Sequence, residues 1–139
     1  MRAKVTVVGA EDLAQQVSER DYAQVTQDIE EISGSTIIVL ATARDDEELL
    51  ATIRDSAPNA IVLVCGASPQ QACEVTLFPR SRIVGVNGET VMDVIDSILL
   101  DRQRIIECTV LLEGEHGREG EYADVPVRIG AKGVEEIPA

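Results

Sequence analysis

Few side chains in this sequence can do chemistry. The one histidine, His116, stands in Glu115-His116-Gly117 within a polar, glycine-rich stretch. The three cysteines, Cys65, Cys73 and Cys108, are odd in number and show no CxxC spacing, which argues against a disulfide framework. One histidine and scattered thiols do not make a four-ligand zinc set. Ser68 or Cys65 as a nucleophile needs a neighbouring base, and the sequence places none nearby. No Walker loop follows any aliphatic run. The acidic clusters Asp45-Asp46-Glu47-Glu48 and Glu113/Glu115 read as solvated faces rather than cation sites. The residues therefore predict no metal, buried spectator thiols and a solvent-exposed, non-catalytic His116.

The composition narrows the partners. The chain has 139 residues and a formal net charge of −13, so nucleic acid and anionic membrane surfaces are excluded as partners, both needing clustered Lys and Arg. No apolar run is long enough to span a bilayer. Met1-Arg2-Ala3-Lys4 runs into a strand without a signal-peptide core, and the cysteine usage fits a reducing cytoplasm. Apolar residues make up 45% and aromatics only 2%, so the core has to be built from Val, Ile, Leu and Ala. Aliphatic runs of that kind suit strands buried on both faces of a parallel sheet.

The elements that position these residues follow from periodicity. Strands are predicted at 4–8, 36–42, 60–65 and 82–86, and helices at 11–20, 45–56, about 69–77 and about 89–103. The last helix has a broad apolar face of Val91, Val94, Ile95, Ile98 and Leu99. Residues 21–32 permit two readings. Tyr22, Val25, Ile29 and Ile32 fall at helical spacing, while Ala23, Val25, Gln27 and Ile29 permit a short strand; the helix is preferred. Two long strands at 104–113 and 123–130, joined by the Gly-rich stretch 114–121, predict a β-hairpin. Alternating strands and helices make the class α/β. The expectation is one domain over 1–139, a reduced Rossmann-like, mostly parallel sheet with flanking helices plus a C-terminal antiparallel β-hairpin.

Several stretches together resemble the malate and lactate dehydrogenase family, and most of all the lactate dehydrogenase-like malate dehydrogenases. They are Lys4-Val5-Thr6-Val7-Val8-Gly9-Ala10, Ser35 through Ala43, Arg44-Asp45-Asp46 with Leu49-Leu50, Ser56 through Val62, and Phe78-Pro79-Arg80-Ser81-Arg82-Ile83-Val84-Gly85. The strongest runs from Ile98-Leu99-Leu100-Asp101-Arg102 through Leu112-Glu113-Gly114-Glu115 to Val125-Pro126-Val127 and Gly133-Val134-Glu135. The resemblance covers most of this chain but part of a family member, which is much longer. It divides the domain into a Rossmann-like part, 1–87, and a helix plus hairpin, 88–139, similar to the family's C-terminal part.

The resemblance implies NAD bound at a Gly-x-Gly-x-x-Gly/Ala turn, where the second glycine lets the backbone approach the pyrophosphate. Here the turn reads Gly9-Ala10-Glu11-Asp12-Leu13-Ala14. Gly9, Ala10 and Ala14 mark a vestigial cofactor turn, but Glu11 occupies the second-glycine position and its carboxylate opposes a phosphate. Glu11 and Asp12 are expected to serve the helix's own free N–H groups instead. Asp28 is the one candidate for the ribose-binding acid, or a solvated residue if its segment is helical. The family's catalytic His and Asp motifs and its substrate-clamping Arg lie in a region this sequence skips, between Val86-Asn87 and Gly88-Glu89. Arg44 resembles the polarising arginine of the family's mobile loop, without the loop. The expectation is a catalytically inactive malate dehydrogenase-like protein with no cofactor, acting through protein–protein contacts as a homo-oligomer (a homodimer) or with a full-length dehydrogenase. Apolar area on helix 89–103 and on the hairpin motivates those contacts. The alternative is an NAD(H)-binding module, or a residual NAD-dependent malate or 2-hydroxy-acid oxidoreductase.

Overall fold

A computed structural model describes residues 3–41, 47–65 and 69–138. Strand β1 (Ala3–Val8) leads through Gly9 into helix α1 (Glu11–Ser18) and strand β2 (Ala23–Thr26). Strand β3 (Ile37–Leu40), helix α2 (Glu47–Ser56), strand β4 (Ile61–Cys65), helix α3 (Gln70–Thr76), strand β5 (Ile83–Val86) and helix α4 (Val91–Leu99) follow in alternation. The chain then gives β6 (Arg104–Glu113), β7 (Glu119–Gly130) and β8 (Gly133–Glu136). Among the described residues all eight strands form one sheet, in the order β2-β1-β3-β4-β5-β6-β7-β8. The pairs from β2 to β5 are parallel and those from β5 to β8 antiparallel. The architecture is the expected α/β class, with the hairpin joined to the same sheet.

Strand pleating explains the two cores. Val5, Val7, Ile37, Val39, Ile61, Leu63, Val84 and Val86 face one side, against α1, α4 and the inner face of the hairpin. Ile38, Leu40, Val62, Val64 and Ile83 face the other, against α2 and α3. Both sets are buried, which is why these strands read as unbroken aliphatic runs rather than alternating ones.

Residues 21–32 form a strand and a short 3-10 turn, not the preferred helix. The apolar set that falls at helical spacing is split between the faces of the sheet: Tyr22 and Val25 pack on the α1/α4 core and Ile32 on the α2/α3 core. Pairing of Ala23 and Val25 with Ala3 and Val5 outweighs the weak helical propensity of Thr26 and Val25.

Helix α4 stops at Leu99, short of the expected 103. Asp101 and Gln103 have positive φ, 50° and 57°, and the Asp101 carboxylate holds this turn by accepting the Ala131 N–H at 2.9 Å. The apolar face of α4 is not exposed as expected. Val91, Val94, Ile95 and Ile98 are buried, because the hairpin folds back over them and the Ser97 hydroxyl donates to the Ile129 carbonyl at 2.6 Å. Strand β8 is a further departure, since the polar Gly133-Val134-Glu135-Glu136 carries no strand pattern. It forms by antiparallel pairing with β7, and Gly133, at φ 93°, lets its backbone lie against Ser81, whose carbonyl oxygen is 2.2 Å from where a Cβ would stand.

Gly85 joins the two halves. It faces Thr109 across the β5–β6 junction, and a Cβ there would stand 2.7 Å from the Thr109 Cβ. Only glycine admits so close an approach of the two strands.

Candidate functional site

In an open parallel sheet, ligands bind beyond the carboxyl ends of the strands where strand order reverses. Here that point lies between β1 and β3, since the chain runs from β1 out to β2 and back across to β3. Gly9 leaves β1 with φ 90°. Ala10 follows in extended backbone (φ −146°, ψ 94°) and opens α1 with no side-chain cap. Ala14 is buried against the sheet, as the last small residue of a dinucleotide turn has to be. Glu11 and Asp12 are exposed in the first turn. Neither accepts a hydrogen bond from the helix's N–H groups among the described residues, so they serve the helix only through charge on its positive end. The expected side-chain capping is absent.

The β1–β2 register pairs Thr6 with Thr26, which brings Asp28 level with the end of β1. Gly9, Ala10 and Asp28 therefore share one edge of the sheet. Asp28 is exposed beyond β2, not helical, and its carboxylate accepts the Glu30 N–H at 2.9 Å. Its own N–H donates to the Thr26 hydroxyl at 3.1 Å. Arg44 and Ser68 lie outside the described residues.

The residues do not fit a dinucleotide. A pyrophosphate needs the close backbone approach that a glycine gives at the second position of the turn. Glu11 puts an unpaired carboxylate there instead. Two like unit charges about 4 Å apart repel by roughly 1 kcal/mol in water, and by more where water is excluded.

His116 lies at the opposite end of the sheet. Strand β6 runs antiparallel to β5 with Thr109 facing Gly85, so the hairpin tip falls at the amino ends of the parallel strands. His116 is exposed there with φ 58°. Beside it Arg80 donates to both oxygens of Glu115, at 2.9 and 2.7 Å, and to the Leu111 carbonyl at 3.0 Å. The Arg80 guanidinium holds the Glu115 carboxyl down at about 2. A small open cleft of about 90 Å³ adjoins this pair, lined by Ser81, Val110, Val134 and Glu135 among others. It is remote from the Gly9 edge, and its charged groups already have partners: Arg80 with Glu115, Glu135 with the Gln103 amide and Glu136 with Arg128.

A second cluster was not foreseen. Asp96, on the inner side of α4, accepts from Arg20 Nε at 3.2 Å, Arg20 Nη2 at 3.3 Å and Tyr22 OH at 2.5 Å. It ties the β1–β2 connection to the C-terminal helix. The signal was an acid set within the apolar run Val94-Ile95-Asp96-Ser97-Ile98. Burial raises the three thiols, Cys108 to about 12, so none is an activated nucleophile. Among the described residues no group of three or more His, Cys, Asp or Glu side chains could hold a metal.

The edge geometry and strand order define a reduced Rossmann-like α/β fold continued by an antiparallel hairpin. Comparison with known proteins adds a partial sequence likeness and a shared fold. The chain is 52% identical over 46 residues to the malate dehydrogenase of Chlorobium phaeobacteroides, a match of 33% of this chain and 15% of that protein. It is 44% identical over 48 residues to that of Heliobacterium modesticaldum, covering 34% of this chain and 16% of the relative. The matched stretch thus spans about a sixth of these relatives. The fold is similar to the crystal structure of Cryptosporidium parvum malate dehydrogenase (TM-score 0.78, 10% identity, 100% of this chain and 91% of that one). It is equally similar to the lactate dehydrogenase of that organism (TM-score 0.76, 13% identity, 99% and 90%). No family model matches the chain. The protein is malate dehydrogenase-like in sequence over a third of its length, and has the malate and lactate dehydrogenase fold throughout.

Proposed function

We propose that this chain is a malate dehydrogenase-like scaffold without the family's catalysis, acting in the cytoplasm through contacts with a second copy or with a full-length dehydrogenase. One observation carries the loss of catalysis. The chain's one imidazole and its would-be cofactor turn stand at opposite ends of the sheet, and hydride transfer needs a proton acceptor within hydrogen-bond reach of the substrate beside the cofactor. Glu11 in the phosphate's place supports the same reading. No helix among the described residues is long and apolar enough to cross a membrane, and the acidity disfavours nucleic acid.

The test is threefold. Purified protein should oxidise no NADH with oxaloacetate, give no heat when titrated with NADH to millimolar concentration, and scatter light as more than one chain, alone or with a full-length malate dehydrogenase. Turnover of oxaloacetate would overturn the reading. A surviving strand–Gly9–helix unit with a buried Ala14 favours a second one, an NAD(H)-binding module. Saturable NADH binding without turnover would select it, and Glu11→Gly should then tighten that binding.

A further inference from the structure

The geometry points to the outer edge of β2 as a docking site for an extended segment of a partner protein, a short neutral strand with basic residues on both sides. This rests on the reading that the chain works through protein contacts, and names the partner's chemistry. A full doubly wound half-sheet carries a third strand outside the second. Here none lies beyond β2 among the described residues, so β2 is an open edge.

The two edges of the sheet are built differently. Strand β8 carries Glu135 and Glu136 and is followed by Pro138, devices that discourage strand addition. Strand β2 reads Ala23-Gln24-Val25-Thr26, with no charge, proline or bulge. Its backbone is also free to pair. The Ala3 N–H takes the Tyr22 carbonyl at 3.1 Å. In a parallel ladder alternate residues point to the same neighbour, so Tyr22, Gln24 and Thr26 serve β1. The Val25 N–H and C=O then face outward, while Ala23 is buried and its N–H is taken by the Arg20 carbonyl at 3.3 Å.

Charge selects the occupant. Exposed Asp21 stands before the strand and Asp28, Glu30 and Glu31 follow it. A second β2 laid antiparallel about Val25 would bring the Asp21 end of one copy alongside Asp28 and Glu30 of the other. A segment with Lys or Arg at both ends meets carboxylates instead. Strand addition of this kind takes its affinity from main-chain hydrogen bonds and its register from such flanks.

The probe is the peptide Lys-Lys-Thr-Val-Thr-Val-Lys-Lys. Its control, Lys-Lys-Thr-Pro-Thr-Pro-Lys-Lys, has the same charge and cannot form a ladder. On the intact protein the first should slow hydrogen exchange at the Val25 amide and bind at least about tenfold tighter than the control, the equivalent of one ladder interaction. Val25→Pro removes an N–H that β1 does not use, a placement edge strands tolerate, and should abolish that preference with the fold retained by circular dichroism. The double variant Asp21→Lys, Asp28→Lys should weaken both peptides alike. Equal binding of the two peptides, unchanged exchange at Val25, or an undiminished preference in a folded Val25→Pro protein would overturn the proposal. Each of these outcomes is independent of NADH binding and turnover, which test the broader reading.

Discussion

The cluster around Asp96 makes a sharp stability prediction, because its members differ in how much water they see. The Asp96 side chain is 11% exposed and that of Arg20 33%. Replacing Arg20 by Met strands a nearly buried carboxylate that keeps only the Tyr22 hydroxyl. Losing one partner of a buried pair costs about 3–5 kcal/mol, and the lower end applies here because water reaches the guanidinium site. Asp96→Ala removes the charge itself. Arg20 can then turn to solvent, and the main loss is the Tyr22 hydrogen bond to a charged acceptor, about 2 kcal/mol. The order of effects is therefore Arg20→Met above Asp96→Ala, and the double variant should be more stable than Arg20→Met alone. At this chain length roughly 3–5 °C of melting temperature corresponds to each kcal/mol, so Arg20→Met should lose roughly 9–15 °C and Asp96→Ala roughly 6–10 °C. Calorimetric and urea melts of the four proteins measure the cycle. An Arg20→Met protein more stable than Asp96→Ala, or a double variant that loses the full sum of about 5 kcal/mol, would refute the claim that the stranded charge dominates.

Three further outcomes follow from the geometry. Gly85→Ala should cost about 1–3 kcal/mol by overpacking, since its Cβ meets Thr109 and the Pro69 Cδ at 3.3 Å, whereas Gly88→Ala, with nothing within 4 Å, should be near neutral in the same urea melt. Stability should fall as pH rises above about 9: the unfolded chain's thiol gives up its proton there, while burial keeps Cys108 protonated to about 12 in the fold, so the folded state binds more protons across that window. The Glu115 carboxyl behaves in the opposite sense. Held at about 2 by Arg80, it ionises in the fold while the unfolded chain still binds its proton up to about 4.5, so its contribution is present above that pH and lost on acidification. Glu115→Gln should flatten that acid limb in a pH series of denaturant midpoints.

Much of the fold was legible because buried parallel strands announce themselves. Val5-Thr6-Val7-Val8, Ile37-Ile38-Val39-Leu40 and Ile61-Val62-Leu63-Val64 have no solvent face to alternate with, and all three became strands. The misreading at 21–32 has the same root. Periodicity assumes that one apolar set serves one face, and Tyr22, Val25 and Ile32 serve two. Strand β8 was invisible because Gly133-Val134-Glu135-Glu136 has no apolar alternation, and it is held by pairing with β7 and a close backbone approach to Ser81, about fifty residues earlier in the chain. At the site, Gly9, Ala10, Ala14 and Asp28 are legible as a vestigial cofactor turn and ribose acid, but the edge that Gly9, Ala10 and Asp28 share is not, because the spacing favours a helix at 21–32. The Asp96 and Arg80 clusters could not be assembled, since their partners lie 76 and 35 residues apart.

The same asymmetry lets the fold tolerate the proposed loss of the dehydrogenase chemistry. The sheet is held by aliphatic burial on two faces and by the Gly85 and Gly133 approaches, none of which involves the turn after β1. Glu11 is exposed, makes no contact that the fold requires, and suits the positive end of α1. Gly→Glu at that position therefore costs the scaffold nothing, and by relieving glycine's entropy in a helix's first turn it contributes a few tenths of a kcal/mol. To a pyrophosphate the same change brings a steric block and an unpaired like charge. On the proposed reading, stability and NAD binding thus act on this residue with opposite sign, and an acidic turn is the state favoured where catalysis is not required.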